Sequence, residues 1–172
     1  MQYSRHSTYS AQGFTLVEVL ISVLIMAVGV LGATGLQLRG LDANRDALMR
    51  SEATQLASDI ANRIEVNPGT DYAVAPTTTP AIASDCTIVN CSPTQMAGYD
   101  ITQWKCSINS LTGASPAIYP ACDVAPGLNM SGSLPRGLGA IVRSGTEYTI
   151  TVSWQPPKYD TASSVSLVIG VP

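Results

Sequence analysis

One carboxylate, Glu18, sits inside an otherwise uncharged apolar run that opens "GFTLVEVLISV" at Gly13. A charged side chain at the centre of a bilayer helix costs roughly 2.5–3.5 kcal/mol on insertion scales, so such a residue marks a function by default. The chemistry open to it is pairing with a cation in the same apolar surroundings. The second group with chemistry to offer is Cys86, Cys91, Cys106 and Cys122. An even count in a loop-rich region implies two disulfides and an oxidising compartment. Of the three connectivities, Cys86–Cys91 with Cys106–Cys122 is favoured because both close short local loops. There is no CxxC pair and His6 is the only histidine, so no zinc site is expected. No glycine-rich phosphate loop occurs either. No catalytic, metal or cofactor-binding residues and no enzyme activity are therefore expected.

The chain has 172 residues, a net charge of -3 and only 12% charged residues. Its basic residues are scattered, which gives no cationic stripe for nucleic acid. Between Phe14 and Leu36 the only charge is Glu18. At 1.5 Å per residue that stretch covers about 35 Å, enough to cross a hydrocarbon core of about 30 Å. It is longer than the apolar core of a secretory signal, and "GATG" beyond it is a poor cleavage site. A membrane anchor is the better reading. Arg39, Arg45 and Arg50 follow the span, so positive charges alone favour the opposite topology. The cysteines instead place the C-terminal side in an oxidising exterior.

Past Leu36 the pattern turns amphipathic, with Leu38, Leu41, Leu48, Glu52, Leu56, Ile60 and Ile64 at helical spacing. "EVNPG" stops it at Asn67-Pro68-Gly69. One helix is predicted from about Phe14 to Val66, its first half in lipid or among apolar helices and its second half laying a stripe on a globular domain. Gly29, Gly32, Gly35 and Gly40 loosen it, serving either close helix packing or local melting. Residues 67–91 read as irregular connection, with Asp71 and Pro76–Pro80 exposed. Ser92 is a plausible N-cap and Pro93 a first helical residue for a short helix reaching Trp104. Gly139–Arg143, Glu147–Trp154 and Val165–Val171 read as an antiparallel meander with one face on the long helix. The predicted class is α+β. Trp104 and Trp154 read as core or interface anchors. Arg50, Glu52, Asp59 and Arg63 read as a solvated helix face with intrahelical pairs.

"GFTLVEVLISVLIMAVGVLG" resembles the N-terminal signal of type IV pilins and pseudopilins. The resemblance implies a leader, residues 1–13, that a prepilin peptidase removes between Gly13 and Phe14, followed by N-methylation of Phe14. It puts Glu18 at the fifth mature position, where the family keeps a glutamate for docking against a neighbouring subunit's amine. It implies residues 14–36 as the membrane or filament-core half of the helix, 37–66 as its amphipathic half, and 67–172 as a periplasmic domain. The leader departs from the commonest members: it is long, and its only candidate cations, Arg5 and His6, lie away from the cut.

"LMRSEATQLASDIANRIEVNP", "CSPTQMAGYDITQW" and "LPRGLGAIV...YTITVSWQ" further resemble the PilV-type minor pilins, the type IV pilus modification proteins. That implies a low-abundance subunit acting with other minor pilins to prime polymerisation of the major pilin, with a tip adhesin as a further partner. The implied route is a single-pass inner-membrane protein that enters the pilus. The alternatives are a minor pseudopilin of a type II secretion system, which shares the Gly13–Glu18 logic, an adhesive module using the Thr/Ser-rich loops, and a plain anchor for another periplasmic domain.

Overall fold

A computed structural model describes residues 13–79, 84–109, 122, 132–156 and 161–171. The expected leader through residue 12, with Arg5 and His6, lies outside the described residues, as does Pro80. The elements are α1 (Leu16–Val66), α2 (Pro93–Ile108), β1 (Leu138–Ser144), β2 (Glu147–Trp154) and β3 (Ser163–Gly170). Contacts divide the chain into two units, Met1–Asn44 and Arg45–Pro172.

In the first unit α1 begins at Leu16, two residues later than Phe14, because Thr15 caps it: the Thr15 hydroxyl accepts the Glu18 N–H at 3.3 Å. Every described residue of this unit is exposed. One 18-residue window reaches a mean hydropathy of 2.5 with none of it buried, long and apolar enough to cross a membrane. Ser22 and Thr34 return their hydroxyls to the carbonyls of Glu18 and Val30, at 2.7 and 2.6 Å, so neither leaves a polar group for lipid to solvate.

In the second unit α1 buries Met49, Ala53, Ala57, Ile60, Ala61 and Ile64. Ile60 and Ile64 of the expected stripe are buried as predicted, and the rest of it is corrected. Leu38, Leu41 and Leu48 are exposed, and Leu56 and Glu52 only half-buried. Over 48–57 the buried row sits one residue later than the leucine row, about 100° around the helix. Ala53 and Ala57 are fully enclosed in that row. The leucine count pointed at a face that this domain does not cover.

Ser92 and Gln95 form a capping box at the start of α2, the Gln95 side chain accepting the Ser92 N–H at 2.9 Å and the Ser92 hydroxyl accepting the Gln95 N–H at 3.4 Å. α2 continues to Ile108, beyond the expected end near Trp104. Trp104 is fully buried and its Nε1 donates to the Leu56 carbonyl at 2.8 Å, tying α2 to α1. A Cβ on Gly139 would come within 2.7 Å of the Trp104 ring and 2.6 Å of Ile108, so this position in β1 must be glycine for α2 to lie against the strand.

The sheet has order β1-β2-β3, antiparallel throughout, with Ile141 opposite Ile150 and Ile150 opposite Leu167. Gly145, at φ +64°, takes the left-handed first position of the two-residue β1–β2 turn. Alternation in "EYTITVSW" buries Tyr148, Ile150, Val152 and Trp154 in one core with Ile60, Ile64 and Trp104. Long helix plus three-stranded antiparallel sheet is the α+β arrangement the patterning predicts; β3 begins at Ser163, two residues before Val165.

Candidate subunit-docking site

Gly13, Phe14 and Thr15 precede α1 in non-helical backbone, exposed, with Phe14 83% accessible. The Gly13–Phe14 bond thus lies in exposed, non-helical backbone. Thr15 at the N-cap and Glu18 three residues on form the Thr-x-x-Glu pattern of a helix start. Sequence reasoning missed Thr15, although that spacing signals it. The position of Glu18 in the first turn also lets its carboxylate meet the positive end of the helix dipole, a gain of about 0.3–1 kcal/mol. Among the described residues no hydrogen bond or ion pair engages this carboxylate. An amine created at Phe14 would face the same positive end, where a second cation is disfavoured. Carboxylate and amine therefore each lower the other's cost in an apolar setting. The arrangement can bind; it brings together no nucleophile, base and orienting group.

A second polar cluster fixes α1 in the domain. Arg63 pairs with Asp59 one turn back at 3.0 Å and with Asp100 of α2 at 3.1 Å, and also donates to Gln103. Tyr72 donates to Asp100 at 2.9 Å and accepts from Asn67 at 3.0 Å, while Asn67 also donates to the Pro93 carbonyl at 2.8 Å. Burial lowers the Arg63 pKa, but Asp59 and Asp100 outweigh it and raise the value overall. Burial pushes Tyr72 up to about 12, with the Asp100 bond adding and Asn67 opposing. Arg63 and Asp59 thus form the expected intrahelical pair, but Arg63 also reaches into the domain. Glu52 accepts from the Ser133 hydroxyl at 3.0 Å.

Lys105, fully buried, sends its ammonium to the carbonyls of Ala75, Pro76 and Thr78 at 2.7, 3.3 and 2.7 Å. The loop that reads as exposed connection is held from beneath by this lysine. Burial lowers its pKa to about 8. Asp71 caps the Ala73 N–H at 3.0 Å. Lys105, Asp100 and Tyr72 went unrecognised in the sequence; a charge beside Trp104 and Cys106 on a helix that must pack was the available hint for Lys105. The cysteines are joined Cys86–Cys91 and Cys106–Cys122, with Cα–Cα distances of 5.5 and 5.4 Å. Among the described residues no cluster of His, Cys, Asp or Glu could hold a metal ion.

Two families match the chain along α1 and beyond. The prokaryotic N-terminal methylation motif covers residues 9–34, and the Tt1218-like family, described as type IV pilin Tt1218, covers residues 35–102. No curated protein matches the chain, and no solved structure matches it. The methylation motif spans Gly13, Phe14 and Glu18, and the second match runs from mid-α1 through Asp100 and most of α2. A methylation motif on an exposed apolar helix, followed over residues 35–102 by similarity to a type IV pilin, supports a pilin-type subunit.

Proposed function

We propose that the chain is a minor type IV pilin of the PilV kind, a low-abundance subunit that joins other minor pilins and primes polymerisation of the major pilin. In this reading a prepilin peptidase cuts between Gly13 and Phe14, the Phe14 amine is methylated, and residues 14–36 hold the chain in the inner membrane. Residues 67–172 then lie in the periplasm, where Cys86–Cys91 and Cys106–Cys122 form. The observation that carries the reading is the exposed apolar half of α1 with one carboxylate in its first turn. Such a surface is complete only against lipid or other apolar helices, and such a carboxylate only against a cation. In the filament the partner of Glu18 is a neighbour's N-terminal amine. The minor rather than major role rests on the resemblance of residues 48–68 and of the later "LPRGLGAIV" and "YTITVSWQ" stretches to minor pilins. An in-frame deletion, restored by the wild-type chain, tests it: surface pili are expected to disappear while secretion of exported enzymes continues. Intact pili with lost secretion would instead assign the chain to a type II secretion pseudopilus.

A further inference from the structure

Where the end of β2 and the start of β3 meet α1, the domain leaves a cleft of about 240 Å³. The described residues that line it are Asp46, Arg50, Trp154, Pro156, Thr161 and Ser163, all within the second unit. Asp46 and Arg50 stand one helical turn apart on α1, acid before base, the order that favours an intrahelical pair. They do not form one. Among the described residues both ion pairs belong to Arg63, and neither the Asp46 carboxylate nor the Arg50 guanidinium engages another group.

The third polar group is the indole N–H of Trp154. This side chain is only 3% accessible and belongs to the core. Buried indole N–H groups ordinarily find an acceptor, as that of Trp104 does at the Leu56 carbonyl. The Trp154 N–H has no such bond. Yet among the described residues the one enclosed side-chain nitrogen or oxygen without a partner is Asn109 Nδ2. The Trp154 nitrogen is therefore not sealed in the core; it opens on the cleft that the ring lines. The hydroxyls of Thr161 and Ser163, also without partners, complete the set.

We infer that this cleft is a carbohydrate subsite that takes one neutral monosaccharide unit. Its charges select the ligand. A free anion meets Asp46 and a free cation meets Arg50, each at the cost of like charge. An apolar molecule would strip water from five polar groups and return no bond to any of them. A zwitterion answers both charges, but Asp46 and Arg50 are exposed, where ion pairing returns little, and it leaves the hydroxyls and the indole N–H out of account. Sugar hydroxyls each donate and accept. One donates to Asp46 while others accept from Arg50 and the Trp154 N–H, with Thr161 and Ser163 serving either way. Bonds to the two ionised groups are the stronger kind. The volume is below the roughly 300–1,000 Å³ of sites for larger ligands, which suits a single ring. The inference needs only the folded second unit and is independent of the pilin reading.

The test titrates the isotope-labelled full chain, purified in a detergent without a sugar headgroup, with D-glucose, D-galactose and N-acetyl-D-glucosamine. The readout is the pair of indole N–H signals from the two tryptophans. Hydrogen exchange tells them apart, slow for the bonded Trp104 and fast for the open Trp154. The Trp154 signal is expected to move and saturate in the millimolar range with at least one of the sugars, while the Trp104 signal stays. Arg50→Gln and Asp46→Asn keep the shape of exposed side chains, and each is expected to weaken that sugar about tenfold, the loss of one charge-assisted bond, with thermal unfolding as in the parent. Glycine, acetate and ammonium are the ionic probes. Saturation by one of them without a response to any sugar would overturn the proposal. No movement with the three sugars, equal movement of both indole signals, or unchanged affinity in both variants would overturn it as well.

Discussion

Glu18 contributes nothing to the packed core, and in the proposed reading it is the residue on which assembly turns. Removing its carboxylate leaves the Gly13–Phe14 bond and the Thr15 cap untouched. Glu18→Ala is therefore expected to be cut at the same bond and recovered at normal levels from membranes, while entering pili poorly; normal incorporation of the variant, read by immunoblot of sheared pili, would refute the pairing role. Lys105 gives a second prediction at this scale. Its pKa falls from the ordinary 10.5 to about 8 in the folded chain, so between these values the unfolded chain holds more protons than the folded one. Stability then rises with pH across that window, and falls as pH drops through 8. Urea unfolding of the detergent-purified chain at pH 7.5 and 9.5, below the range where Tyr72 titrates, is expected to show the rise. Lys105→Met, compared at the same two values, is expected to lose it. Residue types alone revealed Glu18 and the cysteines because a lone charge in an apolar run and an even cysteine count are local signals. Lys105, Asp100 and Tyr72 were not legible, since their roles come from partners about 27 to 37 residues away in the chain, such as Thr78 for Lys105 and Arg63 for Asp100.

At the scale of elements, periodicity and caps located both helices and all three strands within a few residues. The strict alternation of "EYTITVSW" and the Ser92-Pro93 start carry backbone-level information that tertiary contacts only reinforce. The face of α1 was harder. The leucines mark Leu48, whereas the domain buries Met49, Ala53 and Ala57 one residue further round. The consequence is measurable. Ala57→Leu inserts bulk into a fully enclosed position and is expected to cost about 1–3 kcal/mol. Leu48→Ala removes an exposed side chain and is expected to stay within about 0.5 kcal/mol. Thermal unfolding of the two variants side by side distinguishes the buried row from the leucine row, and equal losses would contradict it.

Over the whole molecule the two units have opposite requirements. Arg45–Pro172 closes its own core and adds two disulfides, each joining residues of one local region. Met1–Asn44 has no described residue buried and a single charge in its apolar stretch, so it is finished only by surroundings the isolated chain lacks. Composition carries a related contrast, with the apolar residues gathered near one end and Thr, Ser, Pro and Gly at the other. The central claim is that Gly13–Phe14 is a processing site creating the amine that Glu18 answers. The most direct test is the intact N-terminal mass of the membrane-extracted chain from cells with and without prepilin peptidase. A chain beginning at N-methylated Phe14 only when the peptidase is present is the predicted result; the same N-terminus ahead of Gly13 in both strains would contradict it.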